Sequence, residues 1–259
     1  MRRSDDERFT AFVEAHSGIH RDEPAWASRV DCFTHMATTG KATRCIIGVP
    51  PREVSMRIDH ILYAAPDLEA AVDAIEKRLG VRAAGGGRHM GQGTHNKLLA
   101  LGPRTYLEIV APDPHQAEPA APRPYGVDGV TRAALVGWAL TCDDIEGAVS
   151  EARAKGFDQG DVIDGHRLTA TGTLLRWRLT RNALTAGVIP FLISWGDTPH
   201  PATSAPPGLT LESLHVEHPD PALVLAHLHA LGAHVEVRRA REPALVVRVT
   251  GPSGPDEIR

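Results

Sequence analysis

The sequence has little of several features that would assign it to a particular class of protein. Only three cysteines occur among 259 residues, they form no C-x-x-C pair, and the first residues, M-R-R-S-D-D-E-R, contain no apolar segment. An odd cysteine count without a secretory signal indicates a reducing cytoplasm. No run approaches the roughly 18 apolar residues of a membrane span. We therefore expect a cytoplasmic protein that contacts no membrane.

Charge of one sign is also scarce. The formal net charge is -4, and neither a basic stripe nor an acidic tail is present, which argues against nucleic acid as a partner. The chain has no G-x-S-x-G turn and no cysteine in a recognisable catalytic context, so nucleophilic catalysis has little support. Its G-G-G stretch lacks the strand–loop–helix order of a dinucleotide fingerprint.

What the chain does contain is a repeat, which starts near Met56 and reads as strand, helix, then further strands. The first helix is predicted from an Asp67 N-cap to Gly80, with Leu68, Val72, Ile75 and Leu79 on one face. The same Asp-to-Gly pattern follows a strand twice more, at Asp144 to Gly156 and at Asp220 to Gly232. The pattern predicts an α+β fold of tandem βαβββ modules.

The repeat also suggests a domain organisation. We predict a loosely ordered extension over residues 1–55, two βαβββ modules over 56–201 and a third, truncated βαββ module over 202–259. Pro-rich joints separate the three modules. The natural domain is expected to start at Met56, and a small helical arm upstream of it is the competing interpretation.

Several motifs in the first two modules carry a resemblance to a known family. In the first they are I-D-H-I-L-Y-A-A-P-D-L, G-T-H-N-K-L-L-A-L-G and Y-L-E-I-V-A-P-D-P. In the second they are G-H-R-L-T-A-T-G-T-L-L-R-W-R-L and I-P-F-L-I-S-W-G-D-T-P-H-P. The region 56–201 resembles the glyoxalase-like domain family of the vicinal oxygen chelate (glyoxalase/bleomycin-resistance/dioxygenase) superfamily. The third module is similar in pattern only.

The resemblance implies curved mixed sheets around a cavity, with the helices outside and a site on the concave face of the sheets. Members of this superfamily commonly hold a divalent metal there through His and Glu side chains of the first and last strands of paired modules. Here His60 and Glu108 match those positions, and their N and O donors suit Zn, Mn, Fe or Ni without choosing among them. A metal-free polar site or acid–base pair at the same two residues stays open, as does a structural His–Glu hydrogen bond.

The partner modules supply no matching ligands. Counting from the helix starts puts Gly137 and Ile193 at the equivalent positions of the second module, and Ser213 and Arg248 at those of the third. Since a catalytic metal usually takes three protein ligands, a third would have to come from elsewhere. His95, His200 and His215 are the candidates.

Further site residues are predicted from local context. The glycine-flanked turn before the second strand motif suggests that His95 is an acid–base group and that Thr94 and Asn96 are donors. Arginines and tryptophans of the second module would clamp a substrate carboxylate beside aromatic walls. The residues assigned to substrate binding are Thr94, Asn96, Arg167, Arg176, Trp177, Trp195 and His200. The alternative to this binding role is that the arginines are exposed to solvent and that the tryptophans belong to the core. The histidines of the third module, His218, His227, His229 and His234, are predicted at the surface.

These observations support two classes of function. The first is an enzyme of lyase, isomerase or dioxygenase type that acts on an oxygen-rich small molecule. The second is a metal-free protein that binds or sequesters a small molecule in the same cavity. The third module is interpreted as a structural cap or as the contact surface of a homodimer.

Overall fold

The computed structural model describes residues 56–169, 172–181 and 187–259. The predictions for residues 1–55 lie outside the described residues. The helices are α1 (Leu68–Leu79), α2 (Ile145–Ala154) and α3 (Pro221–Ala230), with 3-10 turns at Pro124–Gly129 and Pro201–Thr203. The strands are β1 (Arg57–Ala64), β2 (Ala84–His89), β3 (Thr94–Gly102), β4 (Thr105–Pro112), β5 (Ala134–Thr141), β6 (Val162–Thr169), β7 (Leu174–Thr180), β8 (Phe191–Ser194), β9 (Thr210–His218), β10 (Glu236–Arg239), β11 (Ala244–Gly251) and β12 (Gly254–Ile258).

The three helices begin and end where the repeat predicts. Each predicted N-cap carboxylate accepts hydrogen bonds from first-turn N–H groups, and each predicted glycine follows its helix with positive φ: Asp67 and Gly80, Asp144 and Gly156, Asp220 and Gly232. The left-handed backbone after the helix suits glycine because it has no Cβ. The repeat is therefore confirmed. No helix in the described part of the chain is long and apolar enough to cross a membrane.

Strands β1 to β8 form a closed barrel in the order β1-β4-β3-β2-β6-β7-β8-β5. Each half has the same internal order, first strand, last strand, then the two middle strands, so the predicted α+β fold with tandem βαβββ modules around a cavity is confirmed. Two seams join the halves. Among the described residues, the β1–β5 seam contains seven residue pairs, whereas the β2–β6 seam contains two, Gly87 with Thr169 and Arg88 with Leu168.

Strand alternation sorts the side chains between the two faces of the barrel wall. Ile61 and Leu107 are fully buried on the outer face, in one apolar cluster with Val72 of α1. His60 and Glu108, one position away on each strand, face the interior. Burial of the outer apolar face under the helices is the main stabilising contribution, at roughly 25 cal/mol per Å² of buried apolar surface.

Strands β9 to β12 form a separate four-stranded sheet in the order β10-β9-β11-β12. This order differs from that of the barrel modules, since β9 pairs in parallel with β10, the next strand along the chain. The sheet packs at the carboxyl end of α1. There Arg78 donates from Nε to Asp256 (2.7 Å) and from Nη2 to the Glu257 carbonyl (2.8 Å).

A buried histidine joins the second and third modules. His227 on α3 is 4% exposed, so the prediction that it lies at the surface is wrong. Its ring packs on Phe157 with centroids 4.5 Å apart, and its Nε2 lies 2.6 Å from Gln159 Nε2. Burial lowers the pKa of His227 to about 4, so the ring is neutral at physiological pH. The prediction fails because the local sequence does not show that α3 packs on the loop that carries Phe157 and Gln159.

Gly251 marks the tightest contact between α1 and the third sheet. A Cβ at this position would lie 2.3 Å from the Leu79 carbonyl oxygen and 2.7 Å from Leu209 Cδ2. We expect Gly251→Ala to lower the free energy of unfolding by about 1–3 kcal/mol, because overpacking forces the sheet away from the helix. Urea unfolding measures it. Gly102→Ala is the matched control, since nothing lies within 4 Å of its Cβ; equal stability of the two variants would contradict the expectation.

Candidate functional site

The barrel encloses a cavity of about 570 Å³, a volume typical of small-molecule sites. Side chains from all eight barrel strands line it, and the 3-10 turn at Pro124–Gly129 covers part of it. Seven of the predicted site residues line this cavity: His60, Thr94, Asn96, Glu108, Arg167, Trp177 and Trp195. The structure therefore brings together the predicted groups of both modules.

A bulge in β1 adds a carboxylate to this group. The β1–β5 pairing shifts between Ile58 and His60, which leaves Asp59 as the extra residue of the strand. Alternation would turn Asp59 away from His60, but the bulge places the two side chains side by side. Asp59 is fully buried and lies 2.8 Å from His60 Nδ1. It also accepts hydrogen bonds from Trp195 Nε1 (3.1 Å) and His200 Nε2 (3.1 Å).

The charge of Asp59 fixes the protonation pattern of His60. Burial by itself would raise the pKa of Asp59, but the hydrogen bonds from His200 and His60 outweigh it and bring the pKa to about 2. An ionised carboxylate can only accept, so His60 Nδ1 carries a proton and donates it to Asp59. The imidazole ring is held between Tyr106, stacked at 4.8 Å, and Phe191, edge-on at 5.3 Å. Its Nε2 faces Glu108 Oε2 at 3.9 Å.

Glu108 is held from the other side by an amide of fixed orientation. The Gly87 N–H donates to Asn96 Oδ1 (2.8 Å), so the Asn96 NH₂ group must point the other way. That NH₂ group donates to Glu108 Oε1 at 2.8 Å. We call the five side chains joined in this way the acid–base cluster: Asp59, His60, His89, Asn96 and Glu108.

His89 completes the cluster as a neutral ring. Its Nε2 lies 3.4 Å from the Asn96 amide nitrogen, which is a donor, so Nε2 is the acceptor. Its Nδ1 lies 2.9 Å from Thr94 Oγ1 and is therefore the protonated nitrogen. Burial lowers the pKa of His89, the positive charge of Arg167 acts in the same direction, and Glu108 opposes both. A neutral His89 buttresses Asn96 and through it Glu108.

The arrangement of these donors bears on the metal that the fold family implies. His60 Nε2 and His89 Nε2 each lie 3.9 Å from an oxygen of Glu108, but the Nε2 lone pair of His89 is engaged by the Asn96 amide at 3.4 Å. Over residues 56–169, 172–181 and 187–259, no group of three or more His, Cys, Asp or Glu side chains has metal-ligand geometry. A catalytic metal usually takes three protein ligands. As arranged, the described residues offer two free ligands, His60 and Glu108, and do not fit such a metal.

Aromatic rings and one arginine line the rest of the cavity beside the cluster. Trp177 and Trp195 lie with ring centroids 5.4 Å apart, and Phe191 continues the apolar surface. Arg167 of β6 is 4% exposed and lines the same cavity. The cavity thus combines an acid–base cluster with an apolar wall and a buried cation.

Some predicted residues lie elsewhere. His95 is half-buried and not among the residues that line the cavity, because alternation turns it away from Thr94 and Asn96. Arg176 is exposed and does not line the cavity either. His200 touches the cluster only through Asp59. His215 lies in the third sheet beside Arg238 (3.1 Å), outside the barrel.

Three residues of the site have no counterpart among the predictions. His89 follows the G-G-G stretch, and its parity with Gly87 on a strand was the available signal. No sequence signal indicated Asp59, because the alternation of side chains along a strand does not reveal a bulge. Tyr125 lines the cavity from the segment between the modules, with an uncommon positive φ of 60°. That segment is tied down by Arg123, which donates to the Gly93 carbonyl (2.9 Å) and pairs with Glu118.

Comparison with known proteins gives a consistent picture of the fold. A family model described as a glyoxalase-like domain matches residues 58–232. A hypothetical protein from Staphylococcus aureus is similar in structure, with a TM-score of 0.55 and 14% identity over 73% of this chain and 88% of that one. No curated protein sequence matches.

Methylmalonyl-CoA epimerases are more distant in structure. The Streptomyces coelicolor enzyme, in complex with 2-nitronate-propionyl-CoA, has a TM-score of 0.38 and 19% identity over 55% of this chain and 96% of that one. The Mycobacterium tuberculosis enzyme has a TM-score of 0.39 and 17% identity over 60% of this chain and 97% of that one.

Proposed function

The chain belongs to the glyoxalase-like domain family of the vicinal oxygen chelate superfamily, and from that premise we propose that it is an isomerase- or lyase-type enzyme. It moves a proton at a carbon next to a carbonyl group, on a small oxygen-rich molecule bound in the barrel. The observation that carries the proposal is the pairing of Asp59 with His60 Nδ1 at 2.8 Å, which leaves His60 Nε2 directed at the cavity and at Glu108.

His60 is the proposed base. Its Nε2 takes the proton from carbon, and the electron pair of the C–H bond moves onto the carbonyl oxygen as an enolate. The negative charge of Asp59 stabilises the imidazolium that forms and keeps the ring in one tautomer. Return of the proton to the same carbon or to its neighbour completes the reaction without an oxidant or a reductant.

Glu108 is the proposed second proton-transfer group. Its Oε2 is 3.9 Å from His60 Nε2, and its Oε1 is held by Asn96, so the carboxylate cannot turn away. Groups this close approach a bound substrate from the same side, so one can remove a proton while the other delivers a proton to the adjacent atom. The surrounding rings exclude water, which strengthens each of these electrostatic interactions.

The aromatic wall supports a second candidate function. A protein that only binds or sequesters a small molecule would use Trp177, Trp195 and Phe191 as a stacking surface and would need no base. Such a protein would bind ligands in the cavity and would exchange none of their protons. Deuterium exchange at the substrate carbon separates the two functions.

We expect the protein to accelerate deuterium uptake at the carbon next to the carbonyl of at least one small 2-oxo acid. The assay follows loss of the C–H signal by NMR in D₂O, for pyruvate, 2-oxobutyrate and phenylpyruvate, with excess chelator present. Acid–base catalysis by positioned side chains supplies about 10²–10⁴-fold over the uncatalysed rate. His166→Gln, at an exposed position of β6, is the matched control and should exchange as fast as the native protein.

Two results would contradict the proposal. Exchange no faster than in buffer for every acid would remove the enzyme and favour the binding protein, if the same acids quench the fluorescence of the cavity tryptophans. Exchange that stops in chelator and returns with a divalent metal would replace the proposed base with a metal-dependent reaction.

A further inference from the structure

Arg167 is a buried cation without a full set of partners. The residue is 4% exposed, and its Nη1 has no hydrogen-bond partner among the described residues. Burying an unpaired charge is strongly unfavourable, and buried polar groups in folded proteins are nearly always satisfied. An incompletely paired guanidinium that lines a cavity therefore indicates a group that arrives from outside.

The backbone beside Arg167 leaves space for it. Gly87 of β2 lies next to the guanidinium, and a Cβ at this position would come within 3.3 Å of Arg167 Nη1. The same Cβ would lie 2.2 Å from the Leu168 carbonyl oxygen, so glycine is required at this crossing. At the seam between β2 and β6, therefore, no side chain at position 87 covers the guanidinium.

The charges inside the cavity favour a monoanion. Among the described residues Glu108 is the buried carboxyl group that lines the cavity, and the Asn96 amide and the ring of His60 engage it. The ionised Asp59 does not line the cavity and is engaged by His60, Trp195 and His200. Arg181 lines the cavity as well, but it is exposed. One carboxylate would neutralise Arg167 and match its planar fork of donors. A phosphate dianion would leave one negative charge uncompensated in the same cavity as Glu108.

The rest of the cavity favours a flat apolar body. Trp177 and Trp195 present ring surfaces, and Tyr125 lies with its ring centroid 5.4 Å from that of Phe191. Aromatic surfaces of this kind bind planar or apolar groups by stacking and burial.

We infer that the ligand of this cavity is a monocarboxylic acid, with its carboxylate on Arg167 and a flat apolar body against Trp177 and Trp195. This inference deepens the proposed function and rests on it for the choice of the barrel as the site. Arg167 is then a specificity-determining residue. It selects anionic substrates and orients the carbon next to the carboxylate or carbonyl toward His60.

Binding of an acid and its amide tests the inference without any turnover. The probes are 3-phenylpropionate and 3-phenylpropionamide, which share one shape and differ in charge, with cyclohexanecarboxylate as a second acid. Titration is followed by tryptophan fluorescence and calorimetry. The native protein should bind each acid at least about 10-fold more tightly than the amide, because hydrogen bonds to a charged group are the stronger ones.

Substitutions at Arg167 should remove this preference. Arg167→Met should weaken 3-phenylpropionate binding by about 10- to 100-fold and leave the amide within about 3-fold of the native value. Arg167→Lys keeps the charge without the fork and should retain part of the preference. Arg178→Met is the matched control, because Arg178 is half-exposed on β7 and pairs with Glu146 and Asp164 at the surface. It should bind both probes as the native protein does.

Three outcomes would overturn the inference. They are equal affinity of the native protein for acid and amide, a folded Arg167→Met that still prefers the acid, and no binding of either acid up to about 10 mM. Failure of the proposed function looks different. Acid-selective binding that depends on Arg167, without any deuterium uptake, would sustain the carboxylate site and remove the enzyme.

Discussion

Replacing His60 with glutamine should lower the rate of deuterium uptake by about 10²–10⁴-fold, which is the contribution of a positioned acid–base group. Glutamine is polar and similar in reach, so its amide can still donate a hydrogen bond to Asp59, but it cannot take a proton from carbon. The affinity for the acid should change by no more than about 3-fold, because Arg167 and the aromatic wall are intact. The pair of measurements is the exchange rate by NMR and the dissociation constant by fluorescence.

The split between rate and affinity distinguishes catalysis from packing. His166→Gln removes an imidazole from an exposed position and should leave both quantities unchanged. A His60→Gln protein that is folded and still exchanges at the native rate would show that another group is the base. Loss of affinity in parallel with loss of rate would show that His60 shapes the cavity without acting on the proton.

Replacing Asp59 with asparagine should reduce exchange and destabilise the fold together. The buried carboxylate accepts from His60, Trp195 and His200, and an amide cannot accept from all three. Leaving buried donors unsatisfied costs about 1–3 kcal/mol. The exchange rate should fall by at least about 10²-fold, because His60 loses the partner that fixes its tautomer and stabilises its charged form.

The stability effect of Asp59 has a defined pH window. Its pKa is about 2 in the folded protein against an ordinary value of 3.8, so the folded state is stabilised above about pH 4. This contribution of about 2 kcal/mol is lost as the pH falls from about 4 to about 2. Asp59→Asn should therefore be less stable than the native protein at pH 6 and should approach it at pH 2.5.

Urea unfolding at the two pH values measures this convergence. Asp164→Asn, at an exposed carboxylate of β6, is the control and should track the native protein at both. A constant difference between native and Asp59→Asn proteins would show that the carboxylate is not preferentially stabilised in the fold.

Much of the fold follows from local signals in the sequence. Each Asp cap and each glycine after a helix can be recognised from residues within one helical turn. The three helices and the repeat could therefore be predicted. Strand β12 was missed because Gly254–Ile258 contains a proline, which is tolerated at the edge of a sheet but reads as a turn. The third sheet's different strand order depends on packing between modules and leaves no local trace.

The candidate site divides in the same way. His60 and Glu108 could be predicted because alternation holds over most of β1 and β4. Asp59 could not, since a one-residue bulge reverses parity, and a bulge has no reliable sequence signal. The choice of His95 over His89 shows the limit of motif context. A histidine beside a glycine turn is conspicuous, but the pairing of β2 with β3 puts His89 level with Thr94 and inside the barrel.

The unequal seams of the barrel have a consequence for how a ligand enters. Among the described residues the β2–β6 seam contains two residue pairs, and His89 lies on its β2 strand and Arg167 on its β6 strand. Segments with few interstrand hydrogen bonds open at a lower free energy than the rest of a fold. We therefore expect the barrel wall to open locally at the β2–β6 seam more readily than at the β1–β5 seam. A carboxylate ligand of Arg167 would enter the cavity through this opening. The rate of local opening would then limit the association rate of the ligand, and the strength of its ion pair with Arg167 would set its dissociation rate.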